Sequence, residues 1–190
     1  MSQRPRCLPC AARRRPMQAC VAGVRFEDDA SLWIKRFKYA SPWQGSLGAS
    51  ERARIRTLAH ATLARAPVRL PDALVPIPLH RRRLRARGFN PSLVIARELA
   101  RKTGVEVRHA LVRTRDTTSQ TGLSRSARRR NVANAFAVRG EVPERVWLVD
   151  DVVTTGATLE AAAHTLRRAG AKEVVGICLA RTPPPTDGSS

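Results

Sequence analysis

Apolar residues fall along this chain in two rhythms, short unbroken runs and a repeat of three to four, and the two alternate. Unbroken runs at 73–77, 146–149 and 174–180 have the length and character of strands buried on both faces of a parallel sheet. The repeat at Ile55, Leu58, Ala59 and Thr62 predicts a helix that Ser50 is placed to cap. A second helix follows from Leu93, Ala96, Leu99 and Ala100, opened by Asn90 and Pro91 as N-cap and N1 and closed by Gly104. Leu159, Ala162, Ala163 and Leu166 predict a third, with Gly170 just beyond its end. Extended segments are expected at 105–107 and 111–113, and a short amphipathic helix at 32–39 ahead of a Pro- and Gly-containing turn at 41–48. Strands alternating with helices point to an α/β fold, a parallel sheet with helices on both faces.

Three stretches fall outside that alternation. Residues 1–30 are basic and irregular in pattern, so regular structure is expected to begin near Ser31. Residues 114–135 form a polar, arginine-rich excursion of a length usually kept for active-site lids or disorder. The tail, 183–190, is expected to be disordered. The division that follows is an N-terminal segment over 1–30, one folded domain over 31–182, and the tail.

Composition narrows the class without deciding it. With 190 residues, 43% of them hydrophobic, the chain can build one domain with a sizeable core. Its formal net charge of +20 suggests a polyanionic partner or substrate, although genomic codon bias toward arginine accounts for the same excess equally well. Of the 35 basic residues only Lys35, Lys38, Lys102 and Lys172 are lysines. No run of about 18 apolar residues is present to span a membrane, and the basic N-terminus lacks the apolar core of a secretory signal, so a cytoplasmic protein is expected. In that compartment Cys7, Cys10, Cys20 and Cys178 have no oxidant with which to pair, and Cys178 reads as a small buried hydrophobe.

The chemistry concentrates at residues 146–158, Val-Trp-Leu-Val-Asp-Asp-Val-Val-Thr-Thr-Gly-Ala-Thr. A strand over 146–149 places Asp150 and Asp151 at its carboxyl end, where ligands bind in open α/β sheets. Thr154, Thr155, Gly156, Ala157 and Thr158 then offer hydroxyls and backbone N–H groups at a helix N-terminus, a natural seat for phosphate. A Walker B strand would need a Gly-Lys phosphate loop, and no Gly-Lys pair occurs; a dinucleotide fold would need G-x-G, which is also missing. A plain helix cap is the remaining alternative, but it needs one acid or hydroxyl where this turn carries several.

This segment resembles the phosphoribosyl pyrophosphate (PRPP) signature of type I phosphoribosyltransferases, with Trp147 in place of the usual aliphatic residue. The resemblance implies that Asp150 and Asp151 bind the ribose hydroxyls, that residues 154–158 bind the 5′-phosphate, and that magnesium is held mainly through PRPP. The stretch from His80 to Asn90 offers a second anion site, basic and followed by a fresh helix N-terminus. By resemblance Arg87 and Gly88 belong to a pyrophosphate loop and Arg113 is a further pyrophosphate contact; an ordinary solvated charge is the alternative for each arginine alone.

Several ordered segments are similar to the ComF family. They are Lys38-Tyr39, Val75-Pro76-Ile77-Pro78-Leu79-His80, Arg87-Gly88-Phe89-Asn90, Gln120 with Gly122-Leu123, Arg128 to Asn131 with Ala135-Phe136, and the 146–158 turn. Membership implies a phosphoribosyltransferase-like domain linked to competence and DNA uptake. It carries two expectations: a phosphoribosyltransferase with an unknown acceptor, or a non-catalytic single-stranded DNA-binding accessory protein that meets competence-machinery proteins. The arginine-rich segment 114–135 would serve the first as a lid. The family's N-terminal zinc module pairs two CxxC motifs. This chain has only Cys7-Leu8-Pro9-Cys10 and a lone Cys20, three zinc ligands where a structural site wants four.

Overall fold

The computed structural model describes residues 16–38, 48–116 and 134–183. Along the chain the elements are β1 (Ala19–Arg25), α1 (Asp28–Lys38), α2 (Ala49–Leu63), β2 (Ala73–Pro76), α3 (Arg81–Arg87), α4 (Pro91–Thr103), β3 (Leu111–Arg113), β4 (Phe136–Val138), β5 (Arg145–Val153), α5 (Ala157–Arg168) and β6 (Glu173–Arg181). Four strands form one parallel sheet in the order β1-β6-β5-β2, while β3 and β4 make a separate antiparallel pair. Val107 adds a single parallel bridge to Leu74 outside β2, so the extended stretch predicted at 105–107 is a rudiment of a fifth strand.

Strand alternation divides the interior into two cores, one on each face of the sheet. Val146 and Leu148 of β5 pack with Leu159, Ala162, Ala163 and Leu166 of α5. Trp147 and Val149 pack on the opposite face with Ile34 and Phe37 of α1, Ile55 and Leu58 of α2, and Ile95 and Leu99 of α4. Because both faces are covered, β5 reads as an unbroken apolar run, and Trp147 is only 3% exposed. The expected α/β architecture is therefore the observed one.

Four expectations change. Regular structure starts well before Ser31: β1 lies within the segment read as irregular and pairs with β6 from Ala19↔Val175 to Arg25↔Arg181. The reason it was hidden is that Ala-Cys-Val-Ala-Gly-Val-Arg is rich in small residues, and an edge strand lying against a helix does not need large ones. Residues 81–87, read as a basic loop, form the short helix α3, capped by the His80 side chain and closed by Gly88 in the left-handed region at φ 80°. Helix α2 is capped by Gly48 rather than Ser50, whose hydroxyl instead donates to Glu51. Strand β5 runs on past Asp150 and Asp151 to Val153. The tail residues 184–190, and residues 117–133 of the expected lid, lie outside the described residues.

Candidate functional site

The two acids of β5 lie beside a strand end even though β5 continues through them. On the β6 side pairing runs on through Asp150↔Cys178 to Val153↔Arg181. On the β2 side it stops at Pro76↔Val149, with a last hydrogen bond from the Ile77 amide to the Val149 carbonyl at 2.9 Å. Pro76 and Pro78 have no N–H to extend the ladder, so β2 leaves the sheet just before the acids. The acids are thus paired through the backbone on the β6 side and beyond the pairing on the β2 side.

Each acid is met by a residue from a different helix. Asp150 Oδ1 accepts from the Ser92 hydroxyl at 2.9 Å and from the Asp151 amide at 2.9 Å. Ser92 stands in the first turn of α4 behind Asn90, whose side chain accepts from the Ser92 amide at 3.1 Å and donates to the Ile77 carbonyl at 3.0 Å. The Asn90-Pro91 helix start therefore clamps the end of β2 and presents Ser92 to the acid pair. Asp151 Oδ1 lies 2.9 Å from the ammonium of Lys38, the last residue of α1. Burial, reinforced by the neighbouring Asp151 carboxylate, pushes the Asp150 pKa up to about 7 from 3.8, against the opposing pull of Lys38 and of its hydrogen bonds.

That shift fixes a pH dependence. Between roughly pH 4 and 7 the folded chain holds a proton that the unfolded chain has released, so stability falls as pH rises through this window and levels off above it. Asp150→Asn lacks the penalty. Its melting temperature should exceed that of the wild type more at pH 8 than at pH 5, and an equal gap at both would contradict the buried, raised carboxyl.

After β5 the chain turns at 154–156 into α5. Gly156, at φ 79° and ψ 0°, is the N-cap, and it supplies no side chain to the first turn. An added Cβ would meet nothing nearer than Val153 Cγ2 at 3.8 Å, so the requirement for glycine is conformational rather than spatial. The Ala157 amide approaches Thr155 Oγ1 at 3.4 Å, Thr154 is exposed, and Thr158 lies in the first turn of α5.

The arginines singled out in the sequence lie on α3 and β3. Arg87 is the last residue of α3 and Gly88 caps it. Arg113 ends β3, its guanidinium 5.4 Å from the centre of the Phe136 ring across the β3–β4 pair. Burial, and then the charge of Arg83, lower the Arg113 pKa, while Asp150 and Asp116 act in the opposite direction. Arg113 is therefore brought within electrostatic reach of Asp150, although 37 positions separate the two in the chain.

Cys20 is part of β1, its sulfur against Gly176 of β6. A hydrogen bond between the thiols of Cys20 and Cys178 lowers the pKa of the first and, with burial, raises that of the second. Cys7 and Cys10 lie outside the described residues, and among the described residues no group of three or more His, Cys, Asp or Glu is placed to hold a metal.

Sequence reasoning missed Lys38 and Ser92 as partners of the acids. Lys38 left a faint signal, as one of four lysines in an arginine-rich chain and part of the Lys38-Tyr39 segment similar to the ComF family. Ser92 left none, because only folding brings it to a residue 58 positions away.

The phosphoribosyl transferase domain model matches residues 90–187 of the 190, just over half of the chain, from the Asn90 helix start past the end of β6. The chain belongs to the phosphoribosyl transferase domain family. It is similar to DNA utilization protein YhgH of Escherichia coli O157:H7, 35% identical over 93% of this chain and 78% of that protein. It is also similar to Competence protein F of Haemophilus influenzae, 32% identical over 92% of this chain and 78% of that protein. The ComF resemblance is thus borne out. Among solved structures, the allosteric regulatory enzyme of purine biosynthesis aligns at TM-score 0.46 and 24% identity over 68% of this chain, which spans 26% of the length of that one. Among the described residues no helix of this phosphoribosyl transferase domain is long and apolar enough to cross a membrane.

Proposed function

We propose that this ComF-type chain binds PRPP at the point where β2 leaves β5 and transfers its phosphoribosyl group with release of pyrophosphate. The observation that carries this reading is the acid pair: two adjacent carboxylates, one raised to about 7 by burial, set between a glycine-capped helix start and a basic helix. In it, Asp150 and Asp151 accept the ribose hydroxyls. Ser92 holds Asp150 in orientation through its hydroxyl, and Lys38 balances the charge of Asp151. Residues 154–158 receive the 5′-phosphate at the start of α5, where the amides of the first turn favour an anion. Arg87, Gly88 and Arg113 face the pyrophosphate.

Magnesium suits this donor set, since it prefers carboxylate and phosphate oxygens and the crowded negative charge at Asp150 and Asp151 favours a cation. Bound with PRPP, it would help neutralise the leaving pyrophosphate. The residues of the chain otherwise act by position: the ribose is fixed from the β5 side while the leaving group meets fixed positive charge on the α3 and β3 side. Thermal denaturation with PRPP and magnesium tests the reading: stabilisation of the wild type that is lost on replacing both acids supports it, and no stabilisation of the wild type overturns it.

A second reading, single-stranded DNA binding, is favoured by the exposed Arg81, Arg82 and Arg85 of α3 and by the names of the two relatives. With aromatic residues only 4% of the chain, base stacking contributes little, so contact would be mainly to phosphates. Affinity for a single-stranded oligonucleotide should then fall with salt at a log–log slope of about −2 to −4, the value for three to five phosphate contacts. A flat response, or no binding at low salt, would exclude it.

A further inference from the structure

Between Asp72 and Glu98 the chain carries no acidic residue, and between Glu106 and Glu141 it carries one, Asp116. Folding brings that single carboxylate to α3. Asp116 Oδ2 is 3.8 Å from Arg82 Nη1, and its Oδ1 is 3.8 Å from Arg83 Nε and 3.7 Å from His80 Nδ1. All three separations exceed hydrogen-bond length, in contrast to the 2.9 Å of Lys38 and Asp151. The carboxylate is held by the field of these groups and not by directed bonds to them. His80 contributes least, because the same Nδ1 accepts from the Arg82 amide at 3.4 Å and so presents a lone pair there.

We propose that Asp116 is an internal competitor for the basic cradle of Arg82 and Arg83, occupying the place of a diphosphate group and displaced when one binds. The proposal rests on the PRPP reading and adds to it a device that sets the affinity of the pyrophosphate end. The Asp116 carboxylate reaches these groups only at 3.7–3.8 Å, beyond hydrogen-bond length. A diphosphate, with more oxygens and more charge, can approach both guanidinium groups to bonding distance. Arg113 links the cradle to the ribose end, since it lies within electrostatic reach of both Asp116 and Asp150. The contacts of Asp116 are partly exposed, and ion pairs of that kind are individually weak, so displacement is within the reach of a polyanion.

The test is calorimetric titration of the full chain with inorganic pyrophosphate, comparing wild type with Asp116→Asn, Asp116→Glu and Asp116→Asn combined with Arg83→Gln. Removing the internal charge should tighten pyrophosphate binding about five- to thirtyfold, the equivalent of two or three weak ion pairs. Asp116→Glu should keep the wild-type affinity, and Arg83→Gln should remove most of the gain, because the two residues act through one contact. Unchanged or weaker binding by Asp116→Asn overturns the proposal, as does a full gain that survives Arg83→Gln, or no pyrophosphate binding by either protein. A gain for a single-stranded oligonucleotide without one for pyrophosphate also overturns it. The PRPP reading is judged separately, by whether stabilisation by PRPP depends on Asp150 and Asp151. Pyrophosphate results of either sign leave that criterion untouched.

Discussion

Asp150→Asn combined with Asp151→Asn should abolish the stabilisation that PRPP with magnesium confers on the wild type. At a ligand concentration a hundredfold above the dissociation constant, binding adds about 2.7 kcal/mol. For a domain of this size that raises the melting temperature by roughly 5–10 °C. The variant keeps the shape of the site and removes both charges. Amide side chains present one acceptor oxygen where a carboxylate presents two, and they offer no charge to balance a cation or to bind ribose hydroxyls strongly. Replacing Asp150 relieves a charge held against burial at pH 8, whereas replacing Asp151 gives up its ion pair with Lys38, so the ligand-free melting temperature of the variant is the baseline from which its ligand shift is read. Loss of the ligand shift would therefore report the site and not the fold. Ser92→Ala belongs in the same series: it leaves both charges and removes the hydroxyl that orients Asp150, and should weaken PRPP about tenfold. Equal stabilisation of wild type and double variant would refute the assignment of the acids.

A second large effect is expected in β1. Gly23→Ala should destabilise the fold by about 3 kcal/mol, the upper part of the range for overpacked cores. That corresponds to a fall in melting temperature of roughly 6–12 °C. A Cβ on Gly23 would lie 2.4 Å from Thr62 Oγ1, 2.9 Å from the Thr62 amide nitrogen and 3.1 Å from the Leu58 carbonyl oxygen. Two of those atoms are helix backbone, which cannot rotate away. Thr62 is also fully buried, its hydroxyl directed to the Leu58 carbonyl at 2.8 Å and the Cys178 carbonyl at 3.3 Å. Helix α2 would have to move off the sheet. Gly140→Ala is the contrast: it has open space around it and φ 72°, so only the left-handed conformation is penalised, at about 1 kcal/mol. If chemical denaturation shows equal losses for the two, the close seating of β1 against α2 is wrong.

The same pair of positions shows what local pattern can and cannot reveal. Helices α4 and α5 and strands β2, β5 and β6 were readable because their burial follows from their own apolar residues: a helix with one buried stripe repeats every three to four positions, and a strand covered on both faces is apolar throughout. Strand β1 was not. Its contact with α2 selects a small residue at Gly23 and its place in the sheet is set by pairing with β6, so its composition resembles an irregular segment. Helix α3 escaped for a related reason, since it buries none of its residues and so carries no apolar periodicity.

By itself the sequence determined the alternating α/β order, the position of Asp150 and Asp151 after the apolar run 146–149 and ahead of a helix entered through Gly156, and the helix start at Asn90 and Pro91. Each of these depends on residues adjacent in the chain, whose backbone preferences and caps act over a few positions. The tertiary structure alone decided that β2 stops one residue short of the acids, that Ser92 and Lys38 meet them, and that Asp116 faces the arginines of α3. Those relations join residues from 33 to more than 100 positions apart, and the contacts to the acids exist because α1 and α4 pack on one face of the sheet and bring Lys38 and Ser92 to the end of β2.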